Sequence, residues 1–274
     1  METTWKRREL LDLLTASLAG VAVTELAGAT AAASAATDGD QPALAGDLFG
    51  EHIAMLVYPG MTLLDLVGPH TCFSALGMTT HLVWKTLEPV TTESGIVIMP
   101  TTTFELCPLD LDIFFIPGST LGTAPLIRDP EVLELVRSRG ERAKLVTSVC
   151  TGSLLLGAAG LLRGYKATSH WFTRELLPEV EAIRVDARFV EDRNRITGAG
   201  VTSGIDFGLR LVDRLRGRDI AETTQLLLEY APEPPFNAGE PTTAPALAVD
   251  TIRTLFGLAL EDTRLAMREA ATEF

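Results

Sequence analysis

The chain has 274 residues, enough for one large domain or two small ones with a substantial core. Apolar residues make up 46% and charged residues 22%, as in ordinary globular proteins, and the formal net charge is −13. That charge, with no basic stripe, argues against nucleic acid or an anionic membrane as partner, because little would neutralise phosphates.

Residues 1–35 differ from the rest. Arg7-Arg8 precedes an apolar, Ala-rich stretch that ends in Ala-x-Ala at Ala33 and Ala35. This is the layout of a twin-arginine export signal, so a periplasmic or secreted protein is expected. Asp12 and Glu25 interrupt the apolar stretch; the alternative is an attached amphipathic helix on a cytoplasmic protein. Residues 36–50 are small, polar and aperiodic and read as a linker. No later run is long enough to cross a bilayer, so no membrane contact is expected of the mature form.

From residue 51 to 274 short apolar runs alternate with helical patterns. Strands are expected at 52–58, 81–87, 94–100, 111–116, 144–149 and 166–171, and in short pieces between 183 and 197. Helices are expected at 63–76, interrupted by Gly68-Pro69, and at 125–140, closed by Gly140. Further helices are expected at 203–217, at 219–230 and, after a Pro-rich segment, from about 246 to 272. Such alternation predicts an α/β three-layer sandwich, a mostly parallel sheet between helices. Sites in these sheets lie at the carboxyl ends of strands. The loop after 52–58, the Pro117-Gly118-Ser119 turn, Cys150 and the turn after 166–171 qualify by position.

The sequence "TSVCTGS" puts Cys150 where an apolar β-branched run meets a helical one. A side chain there stands over the sheet edge on a tight turn, the nucleophile-elbow arrangement, and the flanking Ser148, Thr151, Gly152 and Ser153 are small enough for it. The following helix N-terminus favours thiolate, so an exposed, ionised Cys150 is expected. Cys72 and Cys107 read as buried structural cysteines; an odd count leaves at least one thiol free. The backbone N–H groups of Gly118 and Ser119 could stabilise negative charge opposite the sulfur. Asp65 lies just after the first strand; it is either a helix N-cap or a carboxyl group that reaches the cysteine and moves a proton. The glycines of "TGAGVTSGIDFG" do not fit a dinucleotide loop, and a tight turn into the helix suffices. His170 ends a strand and is a secondary candidate. The four histidines and three cysteines show no metal-ligand spacing, so no metal is expected.

At these residues the sequence resembles the PfpI/ThiJ superfamily. The motifs are "LDLVGP", "HLVWK", "PTTTFELCP", "IPGS", "TSVCTGSLLLGAAGLLRGYKATSHW", "TGAGVTSGIDFGL" and "LEYAPEPPFNAG", in order from residue 52 onward. The resemblance implies a class I glutamine amidotransferase-like, flavodoxin-like fold and a homodimer. It puts the nucleophile at Cys150, its neighbouring threonine at Thr151 and the acidic partner at Asp65, with backbone donors at Gly118, Ser119 and Thr151. Asp65 and Thr151 follow the pattern of the members that hydrate isonitriles to N-substituted formamides through a cysteine thioimidate, without cofactor. Ser119 stands where many relatives have glycine. Other readings are an amidase, peptidase or glyoxalase-like enzyme on the same fold, or a ligand- or redox-sensing module.

Overall fold

The computed structural model describes residues 52–271, so the expected export signal and linker lie outside the described residues. Its centre is three adjacent parallel strands, β1 (His52–Leu56), β6 (Ile113–Ile116) and β7 (Leu145–Val149). Their runs IAML, IFFI and LVTSV are buried throughout, the pattern of a sheet covered on both faces. The full sheet runs β10-β11-β7-β6-β1-β2-β5, adding β2 (Thr79–Trp84), β5 (Thr102–Thr103), β10 (Phe189–Asp192) and β11 (Arg195–Gly198). Only the edge pair β10–β11 is antiparallel. Two small sheets stand apart: β3 (Val90–Thr91) with β4 (Val97–Ile98), and β8 (Lys166–Ala167) with β9 (Ile183–Arg184).

Helices α1 (Leu63–Phe73), α5 (Ser203–Arg216) and α6 (Arg218–Leu227) pack together. A second group comprises α2 (Thr123–Ile127), α3 (Pro130–Arg142), α4 (Gly152–Ala158) and α7 (Ala246–Ala271). The chain is thus an α/β three-layer sandwich. The glycines of the 197–208 motif serve packing. A Cβ on Gly208 would come within 2.7 Å of the Cβ of Cys72, and one on Gly204 within 3.0 Å of the Cδ of Pro69. Their absence lets α5 lie close on α1.

Several expected boundaries move. The first helix runs through Gly68-Pro69 without interruption, Pro69 losing one intrahelical bond while packed against α5. The expected helix at 125–140 is two helices. Pro130 disfavours helix at Asp129, whose Oδ1 instead caps α3 by accepting from the N–H of Glu131 and Val132. Gly140 does not close α3, which continues to Arg142; it is a contact position, since a Cβ there would strike Leu161 at 2.3 Å. The strand expected at 166–171 is only Lys166–Ala167, outside the main sheet, so His170 sits in a loop rather than at a strand end. All three cysteines are free. Among the described residues no cluster of three or more His, Cys, Asp or Glu could hold a metal, and no helix is long and apolar enough to cross a membrane.

Candidate active site

Each of the three central strands delivers one part of the site. After β7 comes Cys150, with φ 56°. For a residue other than glycine this left-handed conformation costs about 1–3 kcal/mol and persists only when the surroundings hold it. Here they do. The Cys150 N–H donates to the carbonyls of Ala199 at 2.7 Å and Gly198 at 3.1 Å. Its carbonyl accepts from the hydroxyls of Ser169 at 3.0 Å and Ser153 at 3.2 Å. Gly152 lets α4 start hard against β6, because a Cβ there would fall 2.3 Å from the carbonyl oxygen of Ile116.

After β1 comes Asp65, in the first turn of α1 and fully buried. It is not the helix cap; Thr62 occupies that position. Its Oδ2 instead accepts from the N–H of Gly118, 2.8 Å away in the turn after β6. Gly118 is where the parts converge. A Cβ on it would stand 2.6 Å from the Thr151 nitrogen, 2.7 Å from the Cys150 Cβ and 2.8 Å from Asp65 Oδ2. The Cys150 thiol interacts with this carboxylate, while Oδ1 accepts no hydrogen bond of good geometry.

Burial dominates the electrostatics. It lifts Asp65 from the usual carboxylate range to about 7, against the pull of the Gly118 N–H and the Cys150 thiol, with the Glu93 charge adding to the rise. The Cys150 thiol is pushed well up, first by burial and then by the Asp65 charge; the Thr151 N–H opposes this and loses. The expectation of an exposed, ionised cysteine is therefore corrected. Cys150 is 5% exposed, and burial and the Asp65 charge both favour the protonated thiol, beside a carboxyl group raised to about 7. A thiol and such a carboxylate form a pair between which a proton can move during reaction.

The backbone donors assigned to an anion are otherwise engaged. The Gly118 N–H serves Asp65, and the Ser119 N–H donates to Thr151 Oγ1 at 2.8 Å. Thr151 Oγ1 in turn donates to the Ser119 carbonyl at 2.9 Å and lies 2.8 Å from Thr123 Oγ1. The expected role of the Gly118 and Ser119 N–H groups in holding charge on a substrate is thus not available in this arrangement. The hydroxyl of Ser119 ties two loops together, donating to the Gly60 carbonyl at 2.6 Å and accepting from the Gly122 N–H at 2.7 Å.

A cavity of about 230 Å³ opens onto Cys150 and Thr151. Its polar rim includes Thr62, Glu93 and Thr120; its apolar wall includes Trp171, Phe172, Ile252, Phe256 and Leu260. His170 also lines it, and burial plus the Arg174 charge lower its pKa to about 4, leaving it neutral at ordinary pH. Two contributors escaped the sequence reading. Tyr58, hidden in an apolar strand run, donates its hydroxyl to the Pro117 carbonyl at 2.9 Å. The α7 residues carry only an amphipathic pattern, which does not reveal what they face.

Comparison with known proteins places the chain as a whole. The chain is 50% identical over 202 residues to the isonitrile hydratase of Pseudomonas putida, covering 73% of this chain and 88% of that one. A crystal structure of a ThiJ/PfpI family protein from Pseudomonas syringae superposes with a TM-score of 0.79 at 49% identity, covering 87% of this chain and 99% of the other. Drosophila melanogaster DJ-1beta, at 20% identity and a TM-score of 0.59 over 66% of this chain and 99% of its own, shares the fold. Residues 51–214 match the DJ-1/PfpI family, and the chain belongs to it.

Proposed function

We propose that this protein adds water to isonitriles, giving N-substituted formamides, with Cys150 as nucleophile on a nucleophile elbow. The observation that carries the reading is the buried Cys150 thiol against an Asp65 carboxylate poised at about 7. The 50% identity to an isonitrile hydratase supports the substrate class.

The terminal carbon of an isonitrile accepts both a nucleophile and a proton. As sulfur attacks that carbon, the thiol proton passes to Asp65, and Asp65 delivers it to the same carbon. The product is a thioimidate, R–N=CH–S–Cys150, and Asp65 is again a carboxylate. Asp65 then takes a proton from the water that attacks the thioimidate carbon and gives it to nitrogen. The carbon–sulfur bond breaks, the new hydroxyl proton returns to sulfur, and R–NH–CHO leaves. No step calls for a cofactor. The Thr151 N–H steadies the sulfur while it carries charge.

Formamide release from a small isonitrile panel tests the reading, with Cys150→Ala expected to abolish it in a folded protein. Amide cleavage without isonitrile turnover would replace it with an amidase. Reversible peroxide oxidation of Cys150 with no turnover would favour a sensor.

The reading includes a homodimer and export. Support for the first is outward leucine side chains: Leu226 is 80% exposed, Leu247 79% and Leu258 88%. Sedimentation at micromolar concentration should show a single species of twice the chain mass. Support for the second is Arg7-Arg8 before an apolar stretch and Ala-x-Ala. N-terminal sequencing of protein from its native host should begin after Ala35; an intact start at Met1 would end that idea.

A further inference from the structure

We infer that the C-terminal helix α7 selects the substrate's N-substituent, with Phe256 setting the size limit. The inference rests on the isonitrile reading above. An isonitrile is linear at nitrogen. Sulfur must add to the carbon side-on, because the carbon's own lone pair occupies the axis, so the substituent leaves the sulfur at an obtuse angle, and the space that can hold it is the cavity that opens onto Cys150. One wall of that cavity is α7. Ile252, Phe256 and Leu260 are spaced four residues apart, which puts them on one helix face, and all three line the cavity with Cys150. They are half-buried, while the intervening Arg253, Thr254 and Leu255 are exposed. Phe256 meets Phe172 edge-on at 6.2 Å between ring centroids, so it joins the two apolar walls of the cavity.

The distance between those walls is held from outside the cavity. Arg264 on α7 binds Glu175 at 2.6 Å and Glu179 at 3.0 Å, and Arg268 binds Glu179 at 3.0 Å. Both acids belong to the 3-10 helix Arg174–Val180, which begins two residues after Phe172, with Thr173 as its N-cap. At the same end of α7, Arg128 binds Asp262 at 2.9 Å. The helix is therefore anchored by its C-terminal half, where Thr263, Ala266, Met267 and Ala270 are buried, and its N-terminal half presents Ile252 and Phe256 to the ligand. α7 also lies beyond residues 51–214, the part that matches the family. Selectivity would then sit on an element separate from the chemistry.

The test compares Phe256→Ala, Phe256→Leu and Ile252→Ala with the parent protein. Two readouts are taken: kcat and KM for methyl, cyclohexyl and 2-naphthyl isonitriles, and the rate of Cys150 alkylation by iodoacetamide against iodoacetanilide. Apolar pockets discriminate by roughly 10–200-fold. Phe256→Ala should therefore raise the naphthyl-to-methyl ratio of kcat/KM about tenfold or more, mainly through KM, with Phe256→Leu between. The alkylation ratio should move the same way. A uniform change across all substrates and both reagents would overturn the inference. If the parent hydrates no isonitrile, the proposed function fails, and the alkylation ratio still decides the role of α7. If Phe256→Ala fails to fold by near-UV circular dichroism, Ile252→Ala and Phe256→Leu must show the shift, or the inference is lost.

Discussion

Tyr58 donates its hydroxyl to the Pro117 carbonyl at 2.9 Å, one residue before the N–H that holds Asp65. This fixes the peptide plane that carries the donor. Tyr58→Phe leaves the carbonyl buried and unpaired, at a cost of about 1–3 kcal/mol in stability. Because the Gly118 N–H lowers the Asp65 pKa, loosening it should raise that pKa further. The acidic limb of the kcat/KM profile, which in the parent should rise through about 7 as Asp65 ionises, is expected to move to higher pH in the variant. A stability loss with an unmoved limb would make Tyr58 only a core residue.

Asp65→Asn should have two effects of opposite sign. Removing the carboxylate relieves the like-charge penalty on the thiolate, so alkylation of Cys150 by iodoacetamide should run as fast or faster. Turnover should fall by about 10²–10⁴, the usual range for losing a general acid–base. Parallel slowing of both would mean that Asp65 activates or positions the thiol; no change in either would leave it without a proton-transfer role.

The same variant should be more stable than the parent above neutral pH. An Asp65 pKa raised in the folded state means the unfolded chain gives up this proton first as pH rises. The neutral carboxyl therefore contributes stability fully below the unfolded value near 3.8, and the contribution is lost as pH climbs to about 7. Asn carries no charge to bury and can still accept from the Gly118 N–H. The gain at pH 8 is at most about 4 kcal/mol, from roughly 1.4 kcal/mol per pH unit. It should shrink toward zero at pH 4, as thermal melts across that range would show.

Gly118→Ala should damage catalysis more than folding. The added methyl would lie 2.6–2.8 Å from three atoms of the site. Pushing them apart costs about 1–3 kcal/mol, as overpacking does. The atoms displaced belong to Cys150, Thr151 and Asp65, so turnover should drop at least a hundredfold while the melting temperature falls by a few degrees. Near-parental activity would show that the turn gives way without disturbing the pair.

The sequence revealed most where a local rule has one reading. Cys150 was legible because a buried strand running into small residues and a helix leaves few alternatives. Asp65 was ambiguous: an acid near a helix start looks the same whether it caps its own helix or reaches, as here, a backbone N–H 53 residues away. Gly118 and Ser119 were correctly placed beside the cysteine, but their N–H groups were given the wrong partners. Those partners lie 53 and 32 residues away and follow from tertiary placement alone. Helix-dipole reasoning predicted an ionised thiol; burial and the Asp65 charge push the thiol the other way, and the Thr151 N–H at the start of a seven-residue helix only opposes them. Pro69 and Gly140 misled because each reads as a helix stop in isolation, whereas both are packing positions.

The convergence at Gly118 also bears on how the protein is made. The three segments that meet there follow β1, β6 and β7, strands far apart in sequence and paired only in parallel, across crossovers. Non-local pairings of this kind close slowly during folding. A fragment that ends before β7 lacks the thiol and the strand that carries it, so it cannot assemble the thiol–carboxylate pair. On dilution from denaturant, secondary structure should return first and reactivity at Cys150 toward its selective alkylation rate last, so that the enzyme's chemistry clocks the completion of its own sheet.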